Sequence, residues 1–347
     1  MSPWTSARIL IVGNAGDVHI GRHLEKAATE IGSTARLIDI SAAYQGNSVK
    51  RRIDWWLRGR RPSRLRTFSE QVVRACREFR PDYLITTGLA PLSAQALAEC
   101  HPLVGARINF LTDDPWNQAH RAPWFFEALP HYDWVFSPRT ANLEQLSAAG
   151  PAHVEYLPFG FARDLHYPEA PSSEEEAARM ACDLLFAGGA DADRVPWLAG
   201  LLERGTNVGL YGDYWHRYPS TAPHARGDAG PRMLRVATGA AKVVLCLVRR
   251  ANRDGHAMRS FETPAMRGCI LAERTPEHVR IYGEDGESVL YFDQPGELAD
   301  KLHWLLSRPE ERKRLAAAVH SRITQGANSY HDRLAAMLSR VGGAQSQ

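Results

Sequence analysis

Residues 252–275, NRDGHAMRSFETPAMRGCILAERT, gather the side chains best suited to holding a charged small molecule. Asp254 and Glu262 are separated by seven residues. The first lies in a loop with a glycine, the second at the start of a helical stretch just before Pro264. Arg259 stands one helical turn ahead of Glu262, close enough to pair with it. A helix N-terminus that points into a cleft receives a diphosphate, because its free N–H groups and dipole favour negative charge. A carboxylate there can accept both hydroxyls of a ribose. The same spacing also describes a capped surface helix with one ion pair.

Two further places could carry chemistry. Gly13 and Asn14 open a loop between a strand and a helix, a second phosphate-cradle candidate. The loop is not GxGxxG, and no acidic residue marks a nicotinamide ribose, so a dehydrogenase is disfavoured. Asp113 and Asp114 end a strand. A carboxylate there could take a proton from an acceptor hydroxyl or orient a sugar. Asp114-Pro115 could equally just begin a turn. His19 and His256 stand in loops that should face a cleft.

The elements that position these residues alternate. RILIVG (8–13), ARLIDI (35–40), YLITTG (83–88), RINFLTD (107–113) and WVFSP (134–138) read as strands with helical stretches between them. The alternation stops over 160–182, which is rich in proline, serine and acid, then restarts with DLLFAGG, NVGLYG, KVVLCLV, CILAE and SVLYF. Strand–helix alternation implies parallel sheets covered on both faces. The expectation is an α/β chain of two doubly wound, Rossmann-like domains facing each other across a cleft. Residues 1–165 form the N-terminal domain, 166–182 a linker and 183–320 the C-terminal domain. Residues 321–347 form a terminal helix that packs back on the first domain. The tail 310–340 reads as one long helical pattern.

Composition agrees. The 347 residues suit two domains of about 150 each. Five scattered cysteines without a CxxC argue against a disulfide framework or a zinc site and for a reducing cytoplasm. The N-terminus lacks a signal-peptide layout, and no run approaches the ~20 apolar residues of a membrane span. Residues 50–66 hold eight basic side chains and one acid, while the whole chain carries only +3. This is a patch and not a basic protein, so nucleic-acid binding is a poor default. Arg51, Arg52, Arg58, Arg60 and Arg61 interleave with Trp55 and Trp56. That mixture suits a membrane interface or an anionic acceptor, with peripheral attachment at the inner face of the membrane. A solvated segment using its tryptophans for packing is the alternative.

The 252–275 segment resembles the donor-binding motif of retaining glycosyltransferases with the two-domain GT-B fold. It is most similar to the CgeB-like, spore-maturation branch of the group 1 enzymes. Arg259-Ser260-Phe261-Glu262 and Ala265-Met266-Arg267-Gly268 carry the likeness. FLTDDPW (110–116), YLPFG (156–160), FAGG with Arg194, LYGDYW (210–215), GESVLYFD (286–293) and NSYHDRLAAML (328–338) extend it along the chain. Asp254 stands where the wider superfamily has Glu, one methylene shorter, and Arg267 replaces a small residue.

The resemblance implies transfer of a hexosyl unit from a nucleoside diphosphate sugar, by default a UDP-sugar, to a hydroxyl acceptor. Retention and independence of metal are implied with it. Glu262 is then the ribose contact, and Arg194 and Arg259 neutralise the diphosphate. Gly13, Asn14, Gly188, Gly189, Tyr211, Asp213 and His256 complete the donor set. Asp113, Asp114 and Asp254 are the candidate catalytic carboxylates. Asp191-Ala192-Asp193 imitates the metal-binding DxD of another glycosyltransferase fold but stands in the wrong place for it, so no metal or other cofactor is expected. A catalytically silent nucleotide-binding or scaffold protein, or a sugar-nucleotide epimerase or hydrolase, would share this architecture.

Overall fold

Ile9, Leu10, Ile11 and Val12 are all fully buried, the mark of a strand covered on both faces. In a computed structural model, which describes residues 4–345, they form β1 (Arg8–Gly13). The chain divides into two compact units. The first comprises 1–158, 251–253 and 330–347; the second comprises 159–250 and 254–329.

The first unit continues with α1 (Ile20–Glu30), β2 (Thr34–Asp39), α2 (Ser48–Leu57), α3 (Leu65–Phe79), β3 (Tyr83–Thr87) and α4 (Ala94–Cys100). Then come β4 (Ala106–Phe110), α5 (Pro123–Ala128), β5 (Trp134–Ser137), α6 (Leu143–Ala148) and β6 (His153–Tyr156). The strand order is β2-β1-β3-β4-β5-β6 and every pairing is parallel. Ile9 stands opposite Tyr83, and Ile85 opposite Ile108.

The second unit holds α7 (Glu174–Met180), β7 (Cys182–Ala187), α8 (Val195–Glu203), β8 (Val208–Tyr211), α9 (Pro231–Ala240) and β9 (Ala241–Cys246). It continues with α10 (Arg259–Ala265), β10 (Ile270–Glu273), α11 (Pro276–Tyr282), β11 (Leu290–Phe292), α12 (Pro295–Leu306) and α13 (Pro309–Gln325). Its sheet, ordered β11-β10-β9-β7-β8, is also parallel throughout. The last helix, α14 (Tyr330–Gln345), belongs to the first unit and packs on α1.

The structure differs from the sequence expectation in three places. The segment expected as a linker belongs to the second unit and contains α7. Ser173 caps that helix by accepting the Glu176 N–H at 3.1 Å, and Glu176 takes a two-pronged contact from Arg232. The signal was Ser173-x-x-Glu176, the spacing of a capping box. The single long terminal helix is two helices. The chain leaves α13 at Gly326, and the Phe161 N–H donates to the Asn328 carbonyl at 3.1 Å. The short strand β6 was not anticipated; its four residues give too little alternation to stand out. All five cysteines are free and buried.

In each sheet the first strand runs to a neighbour on one side and the third lies on the other. In a doubly wound sheet this is the point where loops part and leave a crevice at the carboxyl ends. In the first unit the crevice edge is Gly13. A β-carbon there would meet Thr87 Oγ1 at 2.6 Å and Gly21 Cα at 3.0 Å. We expect Gly13→Ala to destabilise the fold by about 1–3 kcal/mol through overpacking. Gly200, inside α8 with nothing within 4 Å of a β-carbon, should instead gain about 0.5–1 kcal/mol on substitution by alanine. Urea denaturation of the two variants beside the parent checks the opposite signs.

Candidate active site

In the second unit the crevice lies at the ends of β7 and β9. The loop after β7 begins with Gly188 and Gly189. Trp215 Nε1–H donates to the Gly188 carbonyl at 2.8 Å, and the Ala190 N–H to the Asp213 carbonyl at 2.8 Å. Gly212 (φ 118°) passes so close that a β-carbon would lie 2.6 Å from the Gly188 oxygen. Asp213 therefore shapes the glycine loop through its backbone, and its side chain is exposed. Tyr211 is placed differently from the expectation. It is buried, and its hydroxyl donates to the Met180 sulfur at 3.2 Å, which makes it part of the packing.

Arg194 enters this crevice from the start of α8. It is only 7% exposed. Its Nη1 donates to the Gly189 carbonyl at 3.3 Å and its Nη2 to the Leu247 carbonyl at 3.4 Å. Asp191 Oδ2 lies 3.7 Å from Arg194 Nη1 and 3.6 Å from Arg249 Nε. Two guanidinium groups thus share one carboxylate. Burial first, and then the charge of Arg249, hold the pKa of Arg194 below the usual arginine value. Asp254 contributes an opposing negative field at Arg194. Sequence reasoning missed Arg249; the signal was its place just past the end of β9, in VVLCLVRR.

The segment leading into α10 is set by a buried polar network. His278 Nδ1–H donates to the Glu273 carbonyl at 2.7 Å, which leaves Nε2 to accept from the Ser260 hydroxyl at 2.9 Å. Ser260 Oγ in turn accepts the Ala257 N–H at 3.0 Å, and Tyr282 donates to the Ser260 carbonyl at 2.7 Å. Thr275 donates to the Gly255 carbonyl at 2.5 Å. Glu273 ties down the end of β9 by accepting the Val248 N–H at 3.1 Å and Arg250 at 2.7 Å. Its burial raises its carboxyl pKa.

Glu262, in the first turn of α10, is 1% exposed and paired with Arg259. Its other oxygen lies 3.8 Å from His166 Nε2. His166 Nδ1 accepts the Ala162 N–H at 3.0 Å, so the neutral ring turns its Nε2–H toward Glu262. Nothing in the sequence pattern marked His166. His256 is buried between Phe159 and Phe261, and its Nε2 accepts the Phe159 N–H at 3.2 Å. It anchors the loop from inside, where an open ligand contact was expected. Arg267 follows α10 in the left-handed region (φ 67°), the reason a small residue is favoured there.

In the first unit the two aspartates separate. Asp114 is 1% exposed, and Arg253 grips both of its oxygens at 2.6 and 2.9 Å. That fork raises the pKa of Arg253 and leaves Asp114 no acceptor role toward a ligand. Asp113 stays half-exposed, takes the Thr112 hydroxyl at 3.2 Å, and helps hold Tyr44 up at about 12, behind the larger effect of that phenol's burial. A cavity of about 370 Å³ opens beside the fork, lined by Asp114, Trp116, Asn117, Gln118, Ala251 and Arg253. Asn14 is a turn-former, since its side-chain Oδ1 accepts the Gly16 N–H at 2.9 Å. His19 is exposed.

The basic patch also divides. Arg60 is not free for an anion: its guanidinium donates to the carbonyls of Gln118, Ala119 and Arg121, the first two at 2.5 and 2.8 Å. Arg58 pairs with Asp54 at 3.3 Å. Arg52, Arg61, Trp55 and Trp56 are exposed, and the Arg51 side chain lies outside the described residues.

Against known proteins, residues 194–339 match the family described as "Glycosyl transferase-like". No curated protein matches the chain. Among solved structures, sucrose-phosphate synthase from Thermosynechococcus elongatus aligns over 98% of this chain and 99% of its own, at 12% identity and a TM-score of 0.67. HepE from Anabaena, solved with UDP and glucose, aligns over 97% and 100% at 12% identity and a TM-score of 0.62. The T4 phage enzyme BGT, solved with its UDP-glucose substrate, aligns over 96% and 99% at 16% identity and a TM-score of 0.59. The fold is that of the GT-B glycosyltransferases, two parallel-sheet α/β domains.

The buried network makes a pH prediction. Burial pushes His278 down from 6.5 to about 4. An unfolded chain therefore binds more protons at that residue between these values, and stability falls as pH drops through the window. We expect the folded state to lose about 2 kcal/mol between pH 7 and pH 5 on account of His278. Urea denaturation at both values, for the parent and His278→Gln, measures it; the variant should lack that part of the slope.

Proposed function

We propose that the chain is a glycosyltransferase of the CgeB-like kind that moves a hexosyl unit from a UDP-sugar to a hydroxyl acceptor, with retention and without a metal. The observation that carries the reading is the pair Arg194 and Arg249 at the carboxyl end of β7 and β9, inside the glycosyltransferase-like domain. Neither cation has Asp191 to itself, and their donors are directed at the end of the sheet where an anion would sit. The UDP-glucose bound to HepE and to BGT, which have the same fold, supports a UDP-sugar as that anion.

In this reading the N–H group of Gly189 and the two guanidiniums hold the diphosphate, while the Gly188 N–H stays on the Tyr211 carbonyl at 2.8 Å. Negative charge grows on it as the glycosidic bond breaks, and fixed cations stabilise that growth without having to reorganise. Arginine suits the task because its fork spans two phosphate oxygens. Arg259 and Glu262 begin as partners of each other. Glu262 takes the ribose hydroxyls, with His166 orienting its second oxygen. Asp254 tunes the charge at Arg194. Asp113, the half-exposed member of its pair, serves the acceptor hydroxyl in the first unit. The arginines occupy the role that a divalent ion fills in other glycosyltransferases.

The experiment is a thermal-shift panel of nucleotides and sugar nucleotides. A ligand at 100 times its Kd should stabilise the folded state by about 2.7 kcal/mol. A response to UDP-sugars above other nucleotides supports the reading, and no response to any of them overturns it. Kinetically, Glu262→Ala should raise KM with kcat little changed, because a ribose contact is made in ground and transition states alike. Arg249→Ala should instead lower kcat on the order of 10²-fold. Turnover should survive excess EDTA; restoration of a chelated, inactive enzyme by manganese would remove the arginine mechanism.

A further inference from the structure

Helix α2 presents a surface that the donor chemistry does not use. Asp54 is 3% exposed and pairs with Arg58, which fixes the helix's inner side. Ile53, Trp56 and Leu57, at i, i+3 and i+4, share another face. They are 44%, 76% and 80% exposed. Trp55, by contrast, lies under the Arg60 guanidinium at 5.9 Å, and Arg60 is itself pinned to the 118–121 carbonyls. The helix is thus held from one side while its apolar stripe looks outward. Exposed Arg52 lies on the helix, exposed Arg61 and Arg64 follow it in the chain, and Arg58 and Arg66, also exposed, are paired with Asp54 and Glu70.

We propose that this face docks on an anionic lipid bilayer, with Trp56, Leu57 and Ile53 entering the interface and the arginines meeting lipid phosphates. The chemistry selects this occupant. Exposed apolar side chains on a helix with exposed arginines on it and directly after it match the boundary between acyl chains and acidic headgroups, where amphipathic helices lie. Tryptophan prefers that depth. A second copy would bring the same cations face to face, which opposes self-pairing. Nucleic acid would have no use for the leucine and isoleucine. Among the described residues no helix is long and apolar enough to cross a membrane, so the contact is peripheral.

The test is co-sedimentation of the full chain with phosphatidylcholine vesicles, with and without phosphatidylglycerol. Binding should require phosphatidylglycerol and fall steeply with added salt, because such attraction is screened within about 8 Å at physiological ionic strength. Trp56→Ser with Leu57→Ser should weaken binding at least about tenfold. Arg52→Gln, Arg61→Gln and Arg64→Gln together should weaken it on the order of 10²-fold and flatten the salt dependence. Both variants change exposed side chains, and an unaltered melting temperature confirms that the fold is intact. Equal binding to neutral vesicles, or full binding by both variants, overturns the proposal. A dimer in sedimentation velocity that the tryptophan–leucine variant dissolves, with no vesicle binding by the parent, overturns it in favour of a second copy.

Discussion

Two arginines sharing one carboxylate set the terms for the second unit. Removing a guanidinium from water costs several kcal/mol unless partners replace the lost hydration. Arg194 gets two carbonyls and half of Asp191; Arg249 gets the other half. Burial and the neighbouring charge of Arg249 lower the pKa of Arg194. In the proposed function a bound anion would supply the partner that the protein itself does not.

The rest of that unit positions this charge. Parallel strands bring every loop of one kind to the same end of the sheet, so β7 and β9 deliver Gly188, Arg194 and Arg249 together. The segment into α10 needs a firmer hold, because it carries Asp254 in a non-repetitive loop and sets the first turn of α10, which holds Glu262. Ser260, His278, Thr275 and Glu273 supply that hold through bonds between buried groups. A hydrogen bond of this sort contributes only about 1 kcal/mol net, but an unmade one costs more, so the arrangement has few alternatives. Rigidity at the loop is the consequence.

Much of this was legible in the sequence. Apolar runs ending in glycine marked β1, β3 and β7, and their alternation with helices fixed the parallel sheets. Glu262 stood out in the sequence because it lies at the start of a helical stretch, whereas Arg194 and the Gly188-Gly189 turn were singled out only by the resemblance to glycosyltransferases. What was not legible depends on distance. Asp114 and Arg253 are 139 residues apart, and nothing local says that they meet. His166 and Glu262 are likewise joined only by folding. Arg60 looked like one more member of a basic run, yet it binds carbonyls nearly sixty residues away. A run of arginines in a sequence states charge and leaves open which of them face water.

That distinction decides between the two aspartates at the end of β4. By type and place they are equivalent, and each could serve as a base. Burial separates them. A carboxylate with both oxygens on a guanidinium cannot receive a proton from a hydroxyl without first breaking a charge-assisted fork, the strongest kind of hydrogen-bond pair. Arg253 also stands in the left-handed backbone region (φ 50°). Asp114 therefore belongs to the framework, supporting the Trp116–Asn117 loop and the cavity beside it. Asp113 keeps one side toward solvent and a light bond to Thr112. In the proposed function it is therefore the member left to serve an acceptor hydroxyl.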